Sequence, residues 1–415
     1  MSDFAATPDF AATQGMMRVE EALALLDAQI MPLAGQDQVP LADALGRVLA
    51  VDVVSNVAVP PHDNSAVDGW AFAAATRPAD GRLPVVGTVA AGHPFSGVVP
   101  PASAVRILTG APVPQGVDTI AMQEDCPTEP GWVMVPDLKC GANLRNRGED
   151  VAVGATVLSA GIRLRPQDLG IAAATGRTHL QVHRRLRAAL FSTGDEIREP
   201  GSDLPPGCIF DTNRTTASGL LRALGCEVTD LGILPDNRDL ITEALAQAAV
   251  THDLILTSGG VSVGDEDHVR AAVQANGALH FWKLAIKPGR PVALGNVGGA
   301  AFVGLPGNPV AVMVTFMLIA RPLVLRLMGI KDFSVPRYRV QAGFAFKHKP
   351  GRREWLRARV RAEEGGLVAE KFPSDGSGVL SSMVWSDGLV EIPEEWGDLA
   401  PGDTVAYIPY AEVLR

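Results

Sequence analysis

What most constrains this chain is a change of periodicity along it. Between residues 187 and 328, short apolar runs alternate with longer amphipathic stretches. The runs at 188–192, 228–234, 254–257, 278–283, 292–294 and 301–303 read as strands, and 215–224, 237–250, 266–275 and 309–328 read as helices. Gly225 and Gly277 stand just beyond two of those helices, where a residue of unrestricted φ ends them. Strand and helix in alternation demand a largely parallel sheet covered on both faces. The expectation is a doubly wound, mostly parallel α/β domain over 181–330.

On either side the pattern differs. Residues 51–149 hold short apolar runs (51–54, 83–89, 104–108, 119–122, 132–135) broken by Pro and Gly, too short for helices. The chain has 43 Gly and 31 Pro, a surplus that such turns absorb. A β-rich N-terminal insertion module is expected there. After Gly329, Val340, Ala342, Phe344 and Phe346 alternate with other residues, and Leu356, Ala358 and Val360 alternate with Arg357, Arg359 and Arg361. This predicts a C-terminal β domain over 331–415. Residues 16–50 and 150–180 read as a small linker domain, with helices beginning at Met17 and spanning 41–49 and 167–175, and a turn at 34–38. Residues 1–15 have no periodicity and are expected to form a flexible tail. The fold class is therefore multidomain α/β plus β.

Charge narrows the partners. Against 46 Asp and Glu stand 36 Lys and Arg, a net −10, which disfavours nucleic acid and anionic membrane surfaces. It leaves room for a small anionic ligand met by a local pocket. One segment departs from the average: residues 337–361 carry nine Lys and Arg against the single acid Glu354. The cysteines (Cys126, Cys140, Cys208, Cys226) form no C-x-x-C pair, which suits buried or incidental thiols in a reducing compartment. No signal-peptide pattern opens the chain, and the apolar stretch 310–320 is interrupted by Arg321 and Pro322. A cytoplasmic protein without a membrane partner is expected.

In an open parallel sheet, ligands bind beyond the carboxyl ends of the strands. Three such ends are chemically unusual: Ser192-Thr193-Gly194-Asp195-Glu196, the run from Thr257 to Asp267 (TSGGVSVGDED), and Gly304-Leu305-Pro306-Gly307-Asn308-Pro309. Ser258, Gly259, Gly260, Ser262, Gly264 and Gly307 are of the types that let backbone N–H groups and hydroxyls approach a phosphate. Asn308 and Pro309 read as an N-cap and first-turn pair that aims a helix N-terminus at the same crevice. Asp195, Glu196, Asp236, Asp265, Glu266 and Asp267 follow strand ends, and crowded carboxylates call for a cation such as Mg²⁺. Glu266 and Asp267 would equally complement a helix dipole. Lys283, Lys287 and Arg290 suit a phosphate clamp, or an ordinary surface strand. By chemistry alone, the segments 60–70 and 106–114 are ordinary turns. P-loop, dinucleotide, H-E-x-x-H and G-x-S-x-G patterns are all absent from the sequence.

Taken in order, DNSAVDGWA at 63–71, RILTGAPVP at 106–114, STGDE at 192–196, TSGGVSVGDEDHV at 257–269, FWKLAIKPGRP at 281–291, GLPGNP at 304–309 and GRREWLRARV at 351–360 resemble the molybdopterin molybdenumtransferase family, the MoeA type, similar to the gephyrin E-domain. The resemblance implies insertion of molybdate into adenylylated molybdopterin with release of AMP, assisted by Mg²⁺. It implies an elongated homodimer of four-domain chains, in transient contact with the adenylyltransferase and with recipient molybdoenzymes. By match of motif, the functional positions are Asp68, Thr109, Glu196, Asp236, Asp267, Pro306 and Pro309, with Glu196, Asp236 and Asp267 as metal ligands. The family's site lies between the α/β domain of one protomer and the β-rich module of the other. Val67 and Trp70 replace the Met and Tyr common in the first motif, a change of packing more than of chemistry. A molybdopterin adenylyltransferase and a non-catalytic molybdopterin-binding scaffold are the alternatives.

Overall fold

A computed structural model of the chain describes residues 16–413 apart from 34, 260–267 and 290. Six strands form the central sheet: β1 (Arg187–Thr193), β2 (Glu227–Leu234), β3 (Leu254–Ser258), β4 (Gly277–Lys283), β5 (Pro291–Val297) and β6 (Ala300–Leu305). Their order is β2-β1-β3-β6-β5-β4. The pairings β2–β1, β1–β3 and β3–β6 are parallel, whereas β5 runs antiparallel to both its neighbours. The reason is local: only Gly298 and Gly299 separate β5 from β6, too little chain for a crossover, so the two form a hairpin. Gly298 takes the positive φ of +55° that this turn requires.

Alternation along the strands fills two cores. Leu190, Leu256 and Val303 face one side, with helices α1 (Asn213–Ala223) and α4 (Pro309–Leu327). Phe191, Ile255 and Phe302 face the other, with α2 (Arg238–Thr251) and α3 (His268–Asn276). Helix α4 is apolar on all sides and long enough to cross a bilayer, yet it lies in the larger core. A π turn at Phe316–Ala320 carries it past Arg321 and Pro322. A widened turn accommodates the N–H that proline lacks. The buried Arg321 is satisfied by the carbonyls of Val413 and Phe333.

The C-terminal domain is a closed barrel in the order Arg353–Glu363, Gly366–Lys371, Tyr338–Ala342, Thr404–Pro409, Gly388–Ile392 and back to Arg353–Glu363. A two-residue strand of the α/β domain, Ile286–Lys287, adds to it in parallel against Arg353 and Glu354. Adjacent residues of that barrel strand therefore serve different cores. Trp355 packs with the α/β helices and Leu356 with the barrel interior. The N-terminal β-rich module holds a six-stranded sheet that includes Gly69–Phe72 and Ala104–Ile107.

The linker region departs from expectation in two places. Of the turn expected at 34–38, residue 34 lies outside the described residues, and Gln36–Pro40 is instead a strand antiparallel to His179–His183. The helix expected at 41–49 reduces to one 3-10 turn, Leu41–Asp43. The N–H groups of Leu49 and Ala50 are taken by the carbonyls of Ile162 and Gln181, so long-range pairing overrides a helical-looking apolar spacing. The helix Val19–Gln29 packs into the α/β core, whereas Leu49, Leu158 and Leu180 make a small core of their own.

Candidate functional site

At the carboxyl ends of β1, β3 and β6 lies a cleft of about 700 Å³, closed on its far side by the C-terminal barrel. Past β1, Gly194 has φ +147°, and a Cβ there would meet the Glu196 carboxylate at 2.7 Å. That φ is one that side chains rarely adopt, which favours glycine at the turn leading to Glu196. Past β2 stands Asp236, directly before the N-cap of α2. There the Asn237 side-chain oxygen accepts from the N–H groups of Asp239 (3.0 Å) and Leu240 (3.1 Å). Glu196 and Asp236 both line the cleft. Neither makes a side-chain ion pair with a described residue.

Past β3, the buried Ser258 hydroxyl donates to the Pro306 carbonyl at 3.3 Å. Gly259 adopts φ +88° where a Cβ would come within 2.9 Å of the Thr193 carbonyl. The hydroxyls of Ser192, Thr193 and Thr257 are buried with no partner among the described residues. Past β6, Asn213 of α1 donates to the Gly307 carbonyl at 2.6 Å and ties down the loop of Pro306, Gly307 and Asn308. Pro309 starts α4 as expected, but the end of that helix is not wholly open. The Val310 N–H donates to the Ser377 carbonyl of the barrel at 3.0 Å, which satisfies one of the first-turn donors.

The opposite wall carries Lys287 and Arg352 beside one acid, Asp375, which is paired with Lys371. Lys287 Nζ stands 3.1 and 3.3 Å from the two oxygens of the buried Glu354 carboxylate. Arg352, Asp375 and Ser377 enter from the barrel, and His268 from the start of α3. These four were not singled out from the sequence. The excess of cations at 337–361 was visible, but no local pattern says which of them faces a ligand. Four of the nine face acids instead: Arg353 pairs with Glu20, Glu391 and Glu394, Arg337 with Glu391, Arg359 with Glu370, and Arg361 with Glu363.

The expected site residues thus divide. Glu196, Asp236, Gly259, Lys287, Pro306, Gly307 and Asn308 meet in the cleft. Lys283 is exposed and is not part of the lining, so the three-cation clamp is not assembled as expected. Gly260, Ser262, Gly264, Asp265, Glu266, Asp267 and Arg290 lie outside the described residues. Asp68 and Thr109 come together elsewhere, in the β-rich module. The Thr109 N–H and hydroxyl each donate to Asp68 Oδ1 at 2.7 Å. Those two bonds, helped by Arg106, hold the Asp68 carboxyl below its ordinary range. The pair does not line the cleft of its own chain. Among the described residues, no group of three or more His, Cys, Asp or Glu is close enough to hold a metal unaided.

Comparison with known proteins extends over nearly the whole chain. Residues 17–176 match the MoeA N-terminal region (domain I and II), 189–326 a probable molybdopterin binding domain, and 339–410 the MoeA C-terminal region (domain IV). A molybdopterin molybdenumtransferase of Haemophilus influenzae is 38% identical over 96% of this chain and 100% of its own length. The chain belongs to the MoeA family. Among other MoeA relatives, molybdopterin molybdenumtransferase 2 of Mycobacterium tuberculosis is 35% identical, covering 90% of this chain and 95% of its own. The crystal structure of the molybdopterin biosynthesis moeA protein from Pyrococcus horikoshii OT3 superposes with a TM-score of 0.81 at 30% identity, over 95% of this chain and 100% of that one. In MoeA terms, the cleft lies between the molybdopterin binding domain, which carries Glu196 and Asp236, and domain IV, which carries Arg352, Asp375 and Ser377.

Proposed function

We propose that this chain inserts molybdate into adenylylated molybdopterin and releases AMP, with Mg²⁺ assisting. The observation that carries this reading is the division of charge across the cleft. Glu196 and Asp236 stand on one wall and Lys287 and Arg352 on the other, above glycine-lined strand ends. A phosphate ester and an oxyanion suit the wall of Lys287 and Arg352, where a planar guanidinium binds oxyanions through paired N–H groups. Gly259 and Gly307 offer small surfaces on which a phosphate or pterin can lie close to backbone, and in the sequence Gly260, Ser262 and Gly264 follow Gly259. The names of the full-length relatives supply the reaction class.

The acidic wall fits Mg²⁺. Two hard carboxylates without a cation partner among the described residues suit an ion that takes one or two carboxylates and completes its shell with water and phosphate oxygens. Glu196 and Asp236, joined by Asp267, would hold it, and it would offset charge on the phosphate oxygens as AMP departs. Asp68, kept ionised by Thr109, is a fixed acceptor for a hydroxyl or water. Because it lies outside its own chain's cleft, we assign it to the site of a partner subunit in a homodimer. The same reading makes the protein cytoplasmic, in transient contact with the adenylyltransferase that supplies its substrate and the molybdoenzymes that take its product.

The deciding assay supplies full-length protein with adenylylated molybdopterin, Mg²⁺ and molybdate. AMP release that requires molybdate is the expected result. Product formed only from ATP and free molybdopterin would instead identify an adenylyltransferase, and binding without turnover a scaffold.

A further inference from the structure

His348 lies in the loop between Tyr338–Ala342 and Arg353–Glu363 and is 4% exposed. Its ring is set between two backbone carbonyls. Nδ1 is 2.9 Å from the Trp396 oxygen and Nε2 is 2.9 Å from the Arg352 oxygen. A carbonyl only accepts, and a neutral imidazole carries one N–H, so both contacts are hydrogen bonds only when the ring holds two protons. A neutral ring would set one nitrogen lone pair against a carbonyl lone pair in a buried place.

The charged groups on the two loops enclosing the ring are few. Asp398 accepts the His348 backbone N–H at 3.0 Å, and the Glu394 carboxylate is bonded to Arg353. Glu395 and Asp403 complete that loop, and Lys347, Lys349 and Arg352 complete the other. Gly351 N–H donates to the Glu394 carbonyl (2.7 Å), and Arg353 N–H, in the same peptide as the Arg352 oxygen, donates to the Ala285 carbonyl (2.8 Å). The ring holds the oxygen side of that peptide, which follows the residue whose side chain lines the cleft.

We propose that His348, as imidazolium, is a positioning residue that fixes the Arg352 peptide from which the guanidinium reaches the anionic substrate. This rests on the reading of Arg352 as an anion-binding side chain of a molybdate-inserting site. The ring is tested first without turnover. Long-range ¹H–¹⁵N correlation on the histidine-labelled full chain, with His348 assigned by its loss in His348→Gln, is expected to show two protonated ring nitrogens at about pH 6. The pattern of a single neutral tautomer there overturns the proposal whatever the activity.

The functional arm uses molybdate-dependent AMP release. His348→Leu, which has no donor, is expected to raise KM for molybdate about fivefold with kcat within about twofold. His348→Gln, which keeps N–H donors, should hold KM near wild type. Equal KM in all three proteins overturns the positioning role. Unfolding midpoints accompany each variant, and if the Leu variant does not fold, the ring-nitrogen pattern decides. Absence of any molybdate-dependent release is a failure of the functional reading, and the ring-nitrogen pattern still judges His348.

Discussion

Asp236 and Glu196 each follow a strand end, and neither is spent on a cation among the described residues. Asp236→Ala is expected to lower the insertion rate about tenfold or more, with the mass by light scattering unchanged from wild type and, if the Mg²⁺ reading holds, part of the loss regained at high Mg²⁺. An unchanged rate would remove Asp236 from the site. Asp253 shows the opposite use of a carboxylate. Burial resists its ionisation, but Arg184 at 2.7 Å to each oxygen and the Arg187 N–H outweigh that and hold the carboxyl below the ordinary 3.8. A lowered folded-state pKa means stability that is present above 3.8 and is lost as pH falls through the folded value. Asp253→Asn should therefore melt well below wild type at neutral pH, and thermal unfolding should show the gap narrowing as pH drops below that point.

At the scale of elements, α4 couples the core to the cleft. Its first turn borders Gly307 and Asn308, its Val310 N–H is capped by the barrel, and its middle turn widens around Phe316. Phe316 is fully buried among residues of the larger core. Truncation to Ala removes a ring that nothing nearby can replace, so Phe316→Ala should cost about 3–5 kcal/mol, measured as a fall in the urea midpoint at constant slope. A loss below about 1 kcal/mol would mean that the widened turn repacks. The same logic explains why 41–49 is not a helix. Leu41, Leu49 and their neighbours bury as well on a strand-and-bridge path, and that path satisfies their backbone through Ile162 and Gln181.

At the scale of the molecule, one cleft is built from two distant parts of the chain, and a third part stands away from it. Asp236 and Asp68 are in different modules, and only the former lines the cleft. If the site is shared across a homodimer, mixing Asp68→Ala with Asp236→Ala chains should restore activity. Random pairing makes half the dimers mixed, each with one intact site, so about a quarter of wild-type turnover is expected. No recovery after subunit exchange, with mixed dimers confirmed by mass, would place both residues in the site of a single chain or Asp68 outside it.

Local pattern carried much of this protein. Alternating periodicities gave the central sheet and its helices, the barrel strands and the β-rich module, because a strand or helix that must bury one face writes that face into its spacing. The strand ends rich in Gly, Ser and Asp were legible for the same reason, since close backbone approach demands small residues wherever it occurs. Tertiary structure decided the rest. Lys287 meets Glu354 across 67 residues of sequence, and the pairing of Ile286–Lys287 with Arg353 and Glu354 sets that barrel strand beside the cleft, where Arg352 lines it while Arg353 pairs with acids. A cation's spacing records only that it lies on a half-exposed strand. Whether it faces a carboxylate or a ligand depends on what a distant segment brings beside it.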